Sequence, residues 1–358
     1  MSLQERLAAV RPKDGRKVRE RVTQRWNDCA KPLGSLGLLE TALEDIAALT
    51  GESDIRIRNR AVLVLCADNG VVAQGVTQSP ASVTGIVARE LAAGRTSVCR
   101  MAEVAGCKVV PVDMGIQDFA PVEGVLSRRI GNGTADISLG PAMTRAQAEA
   151  AIEAGIGLVE EQKRQWIQLL ATGEMGIGNT TTSSAVACVL LDRAPEEMTG
   201  RGAGLSDEGL RKKIQVIHQA LQVNRPDPRD PVDVLAKVGG FDLAGLCGVF
   251  LGGLIHQVPV LIDGVISATA ALCAVRLCPQ AESAMLASHV SAEPMGGVLL
   301  EALGKKPLIC AGMHLGEGTG AVAAMPLLYM AAAVYRGAYT FEEGGIEAYV
   351  PLGSDAGW

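Results

Sequence analysis

The chain has 358 residues, of which 48% are hydrophobic, 20% charged and 3% aromatic, and its formal net charge is −6. This length and apolar content suit one large α/β domain, alone or with a small partner, and argue against disorder. The acidic balance, without a basic stripe of interleaved aromatic residues, argues against nucleic-acid binding. The charged N-terminal sequence lacks the apolar run of a signal peptide, and the apolar stretches 243–255 and 318–334 are short for a membrane span. We therefore expect a cytoplasmic protein without a membrane partner, in which both stretches are buried helices.

Residues 1–50 predict helices and no strand. Amphipathic segments cover 3–10, 18–26 and 37–49, the last after the turn Lys31-Pro-Leu-Gly-Ser35. The first fifty residues therefore predict a small helical unit ahead of the α/β part of the chain.

From residue 61 onward, short apolar runs alternate with helical segments. The runs that predict strands are 61–66, 107–113, 166–171, 258–263 and 307–311, and the segments that predict helices include 82–104, 144–164 and a helix from Asn179. Thr144 and Gln147 have the spacing of a capping box at the start of the second helix. Such alternation predicts a parallel, Rossmann-like sheet flanked by helices, with ligands at the carboxyl ends of its strands. The turns 68–85, 172–182, 263–267 and 312–320 lie at such ends.

Glu317 lies between two glycines in Leu315-Gly-Glu-Gly-Thr-Gly320, after one of these runs and before an uncharged helix. The glycines give the backbone freedom and leave the carboxylate uncovered, so it can face a cavity as a general base. A glutamate stabilised by the start of the helix explains the same pattern. The motif alone leaves both interpretations open.

The loop Gly173-Glu-Met-Gly-Ile-Gly-Asn-Thr-Thr-Thr182 also follows a strand and opens a helix. Glycines let a ligand approach the backbone, and free amides at a helix start attract phosphate. A glycine-rich turn capped by Asn or Thr is the alternative. The spacing is neither a Walker loop nor a dinucleotide fingerprint, which makes a dinucleotide-dependent oxidoreductase a weak alternative.

Further polar groups lie on the remaining segments. Lys213 follows Lys212 on an expected helix, where a solvated face is the simpler interpretation and phosphate binding the alternative. The segment 288–294 is expected to end a helix, with His289 as either a candidate acid or base or a satisfied polar residue. The polar loop of Asp68-Asn69-Gly70 and 75–80 could wall a base pocket, and Asp263 ends another strand.

Nine cysteines and four histidines are scattered along the chain, without a Cys-x-x-Cys motif. Cys66 and Cys310 lie in apolar strand-like runs, so we expect buried, reduced thiols. No histidine is paired with another His or Cys at a metal-ligand spacing, so we expect no metal site.

Taken together, six segments resemble the nicotinate-nucleotide–dimethylbenzimidazole phosphoribosyltransferase family. They occur in the family's order and span nearly the whole chain. The segments are 31–37 (Lys-Pro-Leu-Gly-Ser-Leu-Gly), 67–71 (Ala-Asp-Asn-Gly-Val) with 75–77, 173–181, Asp263-Gly264, 288–294 and 315–321.

The resemblance implies a large α/β domain over residues 51–340, a small helical domain of residues 1–50 with part of the C-terminal region, and a homodimer. It implies transfer of ribose 5-phosphate from nicotinate mononucleotide to 5,6-dimethylbenzimidazole, without a cofactor. Glu317 would be the general base and Glu174 a second catalytic group. Phosphate and ribose would be bound by Gly176, Gly178, Asn179, Thr180, Lys213, Asp263, Ser291, Gly316 and Gly318. The base pocket would contain Asp68, Asn69, Ser79, Pro80 and Leu315.

Two positions depart from the family pattern, in which a histidine is common at position 69 and an aromatic residue at position 79. This chain has Asn69 and Ser79. Because that loop would line the base pocket, a second hypothesis is a phenol-directed transferase of the same superfamily, which could need a paralogous partner chain. A third is a non-catalytic, nucleotide-binding regulatory subunit.

Overall fold

A parallel sheet forms the centre of the computed structural model, which describes residues 3–10 and 14–349. In these residues the sheet has six strands in the order β3-β2-β1-β4-β5-β6, and every neighbouring pair is parallel. The strands are β1 (Arg60–Ala67), β2 (Cys107–Gly115), β3 (Leu126–Ser127), β4 (Leu169–Met175), β5 (Val260–Ile262) and β6 (Met285–Ala287). The expected parallel, Rossmann-like sheet is therefore confirmed.

Fourteen α-helices accompany the sheet within the described ranges. They are α1 (Leu3–Ala9), α2 (Arg16–Asp28), α3 (Leu38–Thr50), α4 (Ser82–Ala92), α5 (Ser97–Ala105), α6 (Arg145–Arg164), α7 (Asn179–Leu191), α8 (Pro195–Met198), α9 (Asp207–Asn224), α10 (Pro231–Val238), α11 (Phe241–His256), α12 (Val265–Leu277), α13 (Met295–Ala302) and α14 (Thr319–Gly337). Short 3₁₀ segments cover Gly70–Gln74 and Pro279–Ala284.

The central strand β1 is buried on both faces. Leu63 and Leu65 belong to an apolar cluster with α6, α7, α11 and α12, whereas Val62 and Val64 belong to a second cluster with α2, α3, α5 and α14. Because successive side chains of a strand point to opposite faces, one continuous apolar run supplies both cores. The sheet is thus the middle layer between two layers of helices.

The N-terminal helices and the end of α14 meet on the second face. Trp26 of α2 packs edge-on against Tyr335 of α14, with ring centroids 5.1 Å apart. Cys29 forms an antiparallel bridge with Thr340, more than three hundred positions along the chain. The proposed division into a small helical domain and a large domain at residue 51 stays a prediction.

Several predicted elements have the expected positions. The capping box of Thr144 and Gln147 is present at the start of α6. The stretch 243–255 lies in α11, which is buried along nearly its whole length, but α14 exposes Met330 and Val334 on one side.

Other boundaries differ from the prediction. The segment 82–104 is two helices, α4 and α5, because the chain turns through Gly94 at φ 71° and extends at Thr96. The strand expected at 166–171 begins three residues later, because Trp166 has a φ of 60° and is exposed. The resulting β4 runs to Met175 and includes Glu174.

The strand predicted at 307–311 is wrong. Only Ile309 forms an isolated bridge, with His289, and Cys310 is exposed, contrary to the expected buried thiol. Pro307 has no backbone N–H to donate to a neighbouring strand. The segment expected to end a helix at 288–294 instead follows the unpredicted strand β6.

Hydropathy along the described helices identifies none that is long and apolar enough to cross a membrane.

Candidate active site

A cavity of about 240 Å³ lies at the carboxyl ends of β4, β5 and β6. This is the edge where ligands bind in open parallel sheets. Its lining residues are Thr77, Glu174–Thr180, Gly202, Ala203, Asp263–Ser267, His289, Ser291, Glu293 and His314–Glu317. The glycine-rich segments singled out in the sequence therefore meet at one place.

The loop around Glu317 has an uncommon backbone conformation. Gly316, Glu317 and Gly318 have φ angles of 93°, 59° and 88°, so three successive residues are left-handed. For a non-glycine residue this conformation is sparsely populated and costs energy, and it is often found at functional sites. A Cβ atom on Gly173 would lie 2.6 Å from the Glu317 carbonyl oxygen, so the loop rests directly on β4.

The Glu317 side chain is half-buried and reaches the start of α5. Its Oε2 accepts a hydrogen bond of 3.4 Å from the Val98 backbone N–H. The amino end of a helix carries a partial positive charge, to which a negatively charged side chain is attracted. Glu317 thus combines an anion-stabilising contact with a position on the cavity wall.

Glu174 is the second carboxylate of the cavity and is 8% exposed. Burial raises its pKa to about 8, and although the hydrogen bond from Asn179 acts in the opposite direction, Asp242, Asp263 and Glu317 add repulsion. A Cβ atom on Gly316 would lie 2.7 Å from the Glu174 Oε1, so Glu174 packs closely against the Glu317 loop. A carboxyl group with this pKa is protonated at neutral pH and can donate a hydrogen bond.

The loop after β4 brings Gly176, Gly178 and Asn179 to the same wall. A Cβ on Gly176 would lie 2.5 Å from the Ala67 carbonyl oxygen, so only glycine fits. Gly178 has a φ of 92° and precedes α7. Asn179 begins the helix, and its Nδ2 donates to Glu174 Oε2 and, at 3.0 Å, to Asp242 Oδ2.

Lys213 is 1% exposed, although it lies on the charged helix α9. The interpretation of a solvated helix face is therefore wrong for Lys213, whereas its neighbour Lys212 is exposed. Its Nζ donates to Thr180 Oγ1 at 2.8 Å and to the Gly200 carbonyl at 3.1 Å. Burial lowers the pKa of Lys213 to about 8, which Glu293 partly opposes. The Lys213 ammonium thus lies directly behind Thr180, which lines the cavity.

Asp263 fixes the Glu317 loop and the start of α14. Its two oxygens accept hydrogen bonds from the N–H groups of Gly318 at 3.2 Å and Ala321 at 2.9 Å. Burial raises the pKa of Asp263, and the nearby His289 acts in the opposite direction. The buried Ser291 lines the cavity and accepts the Glu293 N–H at 3.3 Å.

The residues expected in the base pocket are only partly brought together. Leu315 lines the cavity and is 58% exposed. Asp68 and Asn69 are buried and do not line the cavity. Asp68 accepts a hydrogen bond from the Gln117 N–H, and the Asn69 Oδ1 accepts one of 3.5 Å from the Thr182 hydroxyl. Ser79 is half-buried and Pro80 exposed, and neither is a lining residue, although Thr77 of the same loop is. A role of these four residues in base binding stays a prediction.

Asp242 is a site residue that sequence reasoning missed. It is completely buried at the start of α11, and burial raises its pKa to about 6. Nothing in its local sequence, an apolar helix with one acid in the first turn, indicates that it contacts Asn179. Only the three-dimensional arrangement could identify it.

Within residues 3–10 and 14–349, no group of three or more His, Cys, Asp or Glu side chains could hold a metal ion. A larger cavity of about 610 Å³ is lined by residues of α1, α2 and α3, by the end of α11 and by the 3₁₀ segment Pro279–Ala284. Its charged side chains form ion pairs: Arg19 with Asp45, Lys305 with Glu282 at 3.0 Å, and Arg6 with Glu153, outside the lining, at 2.7 Å.

Comparison with known proteins gives consistent results. A family model described as phosphoribosyltransferase matches residues 12–346. A nicotinate-nucleotide–dimethylbenzimidazole phosphoribosyltransferase of Acetivibrio thermocellus is 49% identical over 92% of this chain and 94% of its own length. One from Geobacter metallireducens is 40% identical over 96% of this chain and 98% of its own length.

A solved structure is also similar. The crystal structure of CobT from Thermus thermophilus matches with a TM-score of 0.88 and 38% identity, over 93% of this chain and all of that one.

Proposed function

This chain belongs to the nicotinate-nucleotide–dimethylbenzimidazole phosphoribosyltransferase family, and from that premise we propose its reaction. The enzyme transfers ribose 5-phosphate from nicotinate mononucleotide to 5,6-dimethylbenzimidazole or a related base, giving α-ribazole 5′-phosphate and nicotinate. The observation that carries this proposal is that one cavity has the Glu317 carboxylate in its wall and, behind the lining residue Thr180, the buried ammonium of Lys213.

Lys213 and the first turn of α7 supply the charge that a phosphate needs. The ammonium group lies beside Thr180, and a phosphate dianion placed there would gain a charge-assisted hydrogen bond. The start of α7 adds its positive end. Together these groups would hold nicotinate mononucleotide by its phosphate while the C1′–N bond breaks and nicotinate leaves with the bonding electron pair.

The two carboxyl groups suit different steps because their surroundings differ. Glu317, whose charge is stabilised by the start of α5, would remove the N–H proton of the incoming base as its other nitrogen attacks C1′. Glu174, protonated at neutral pH, would donate a hydrogen bond to the bound substrate. Positive charge that develops on the ribose would be stabilised by the Glu317 carboxylate.

A base panel tests the reaction. The purified chain is incubated with nicotinate mononucleotide and with 5,6-dimethylbenzimidazole, benzimidazole, adenine or p-cresol, and products are identified by mass spectrometry. We expect nicotinate release and a ribotide whose mass equals that of the base plus ribose 5-phosphate less one water. If none of the bases leads to nicotinate release, the proposal is contradicted.

Glu317→Gln tests the general base. We expect turnover to fall about 10²–10⁴-fold because the amide cannot accept the proton, while nicotinate mononucleotide still binds. Calorimetry measures the binding, and Glu301→Gln, an exposed residue of α13, serves as the matched control with normal turnover. Unchanged turnover in Glu317→Gln would remove Glu317 from this role.

A phenol-directed transferase is the second candidate, favoured by the departures at Asn69 and Ser79. Thr77 of the same polar loop lines the cavity, so this loop can influence which base is accepted. Competition between p-cresol and dimethylbenzimidazole distinguishes the two. Measurable turnover by the purified chain would exclude the third hypothesis, a non-catalytic regulatory subunit.

We also propose a cytoplasmic homodimer, with a heterodimer of paralogous chains as the alternative. The α14 face that carries Met330 and Val334 is apolar and exposed, which suits a protein interface. Sedimentation of the purified chain alone, with a mass near twice 37.2 kDa, would support the homodimer.

A further inference from the structure

Asn179 stands between two buried carboxyl groups. Both hydrogens of its side-chain amide are used, one toward Glu174 and one toward Asp242, 3.0 Å away. Among the described residues, no protein group donates to its carbonyl oxygen Oδ1. Asn179 lines the cavity, and an oxygen without a protein donor there is a candidate acceptor for a ligand.

The orientation of this amide depends on which neighbour is charged. If the amide were flipped, Oδ1 would face the two carboxyl groups. Glu174, with a pKa of about 8, is protonated at neutral pH and could donate to the flipped oxygen. Asp242, with a pKa of about 6, is mainly ionised there and only accepts hydrogen bonds. Asp242 is therefore the neighbour that excludes the flipped form.

We propose, on the basis of the function proposed above, that Asp242 is a positioning residue that holds Asn179 with Oδ1 toward a hydroxyl group of the ribose in nicotinate mononucleotide. A ribose hydroxyl is a donor and suits a fixed carbonyl acceptor. Asn179 lines the cavity and Asp242 does not, so Asp242 acts through Asn179.

The packing around Asp242 fits this role. Its Oδ1 accepts the Leu243 N–H at 2.9 Å, and its Oδ2 accepts from Asn179, so each oxygen serves one donor. A Cβ on Gly176 would lie 2.8 Å from Oδ2, so the site loop closes directly over the carboxylate. A residue needed only to cap α11 would not require its second oxygen to contact Asn179.

The test is a double-mutant cycle of Asp242→Asn and Asn179→Ala, with nicotinate mononucleotide affinity measured by calorimetry without a base. An asparagine at position 242 has one acceptor for two donors, and it no longer excludes the flipped amide. We expect each single variant to weaken binding about tenfold, the size of one lost hydrogen bond to a ligand. The double variant should be weakened by less than twofold beyond Asn179→Ala, and the KM for the base should stay within twofold of the wild-type value.

Asp233→Asn is the matched control, because Asp233 also lies in the first turn of a helix, α10, away from the cavity. It should leave the affinity unchanged. Additive effects of the two variants would overturn the proposal, and so would unchanged affinity in either single variant. If Asp242→Asn does not fold, unchanged affinity in Asn179→Ala still overturns it, and a tenfold loss there supports it.

The outcome can be separated from that of the proposed function. Wild-type turnover with unchanged affinity in the variants would sink only the role of Asp242. Wild-type binding without turnover would sink the proposed reaction while the cycle still reports on Asp242. A wild-type chain that does not bind nicotinate mononucleotide would overturn both.

Discussion

Lys213 carries the clearest consequence for substrate choice. Its ammonium is buried beside Thr180, and no carboxylate in the described part of the chain forms a salt bridge with it. A substrate phosphate would be its ionic partner. We therefore expect Lys213→Met to raise the KM for nicotinate mononucleotide about 10–100-fold, the range for losing a hydrogen bond to a charged group.

Nicotinate riboside, which has no phosphate, supplies the comparison. Wild-type enzyme should prefer the mononucleotide strongly. Lys213→Met should lose most of that preference, because the charged contact it removes is available to the phosphate of the mononucleotide and to no group of the riboside. The neighbouring exposed residue gives the control Lys212→Met, which should keep it. An equal loss for both substrates in Lys213→Met would argue for a purely structural lysine.

Glu174 links stability to pH. Its pKa is raised from 4.5 in the unfolded chain to about 8 in the folded chain. The folded state therefore binds more protons between these values, so this contribution is fully present below pH 4.5 and is lost as pH rises through 8. Glu174→Gln keeps the neutral form at every pH.

We expect the free energy of unfolding of Glu174→Gln, relative to wild type, to increase as pH rises from 5 to 8.5. Urea unfolding at a series of pH values measures it. Glu301→Gln, an exposed substitution, should show no such trend. A difference between Glu174→Gln and wild type that does not change with pH would show that Glu174 is ionised in the folded state throughout.

At the scale of single residues, residue type and spacing were enough to single out Glu317 and Asn179, with Gly176, Gly178 and Gly316 beside them, as residues that line the cavity. The burial of a side chain could not be predicted in the same way. Lys213 has the same sequence context as the exposed Lys212 and differs from it only in how α9 packs against the loop at Gly200. Asp242 gave no signal, since its partner is sixty-three positions away.

The loop of Gly316, Glu317 and Gly318 is the element on which the site depends. A Cβ at Gly316 would meet Glu174 Oε1 at 2.7 Å, and its φ of 93° is strained for any other residue. We expect Gly316→Ala to destabilise the protein by about 1–3 kcal/mol and to lower turnover, because the loop is strained and the Glu174 carboxyl group must move away from the new methyl group.

Gly297→Ala is the matched substitution. Gly297 lies inside α13, and a Cβ there would meet nothing within 4 Å. Alanine favours helix, so this variant should be stabilised by up to about 1 kcal/mol with unchanged turnover. Thermal unfolding and the nicotinate-release assay measure both variants, and equal behaviour would refute the strain argument.

Elements were predictable where the apolar run was long. The run 61–66 forms a central strand, and its side chains belong to the apolar clusters on both faces of the sheet. The capping box of Thr144 marks the start of α6. The three-residue strand β6 is too short to show a period, and the apolar run at 307–311 makes a single bridge. Whether a short run pairs depends on neighbours that local sequence does not specify.

For the whole molecule, the alternation of runs and helices was enough to predict a parallel sheet and the edge that carries the cavity. The packing of the N-terminal helices against the end of α14 could not be predicted, because it depends on contacts between distant segments.

Trp26 is 1% exposed and packs on Tyr335. We expect Trp26→Ala to lower the free energy of unfolding by about 3–5 kcal/mol, through the lost burial and the cavity it leaves.

Urea unfolding measures this effect. Trp166→Ala is the control, since Trp166 is 79% exposed and its loss should cost little. A similar cost for both tryptophans would contradict the assignment of Trp26 to the core between α2 and α14.

The bridge between Cys29 and Thr340 also has a consequence for biosynthesis. A chain emerging from the ribosome exposes the apolar faces of α2 and α3 long before α14, which covers them, has been made. Those faces remain open through most of translation, the period in which nascent chains aggregate. We therefore expect this protein to depend on chaperone binding near its N-terminus until the last helix is released.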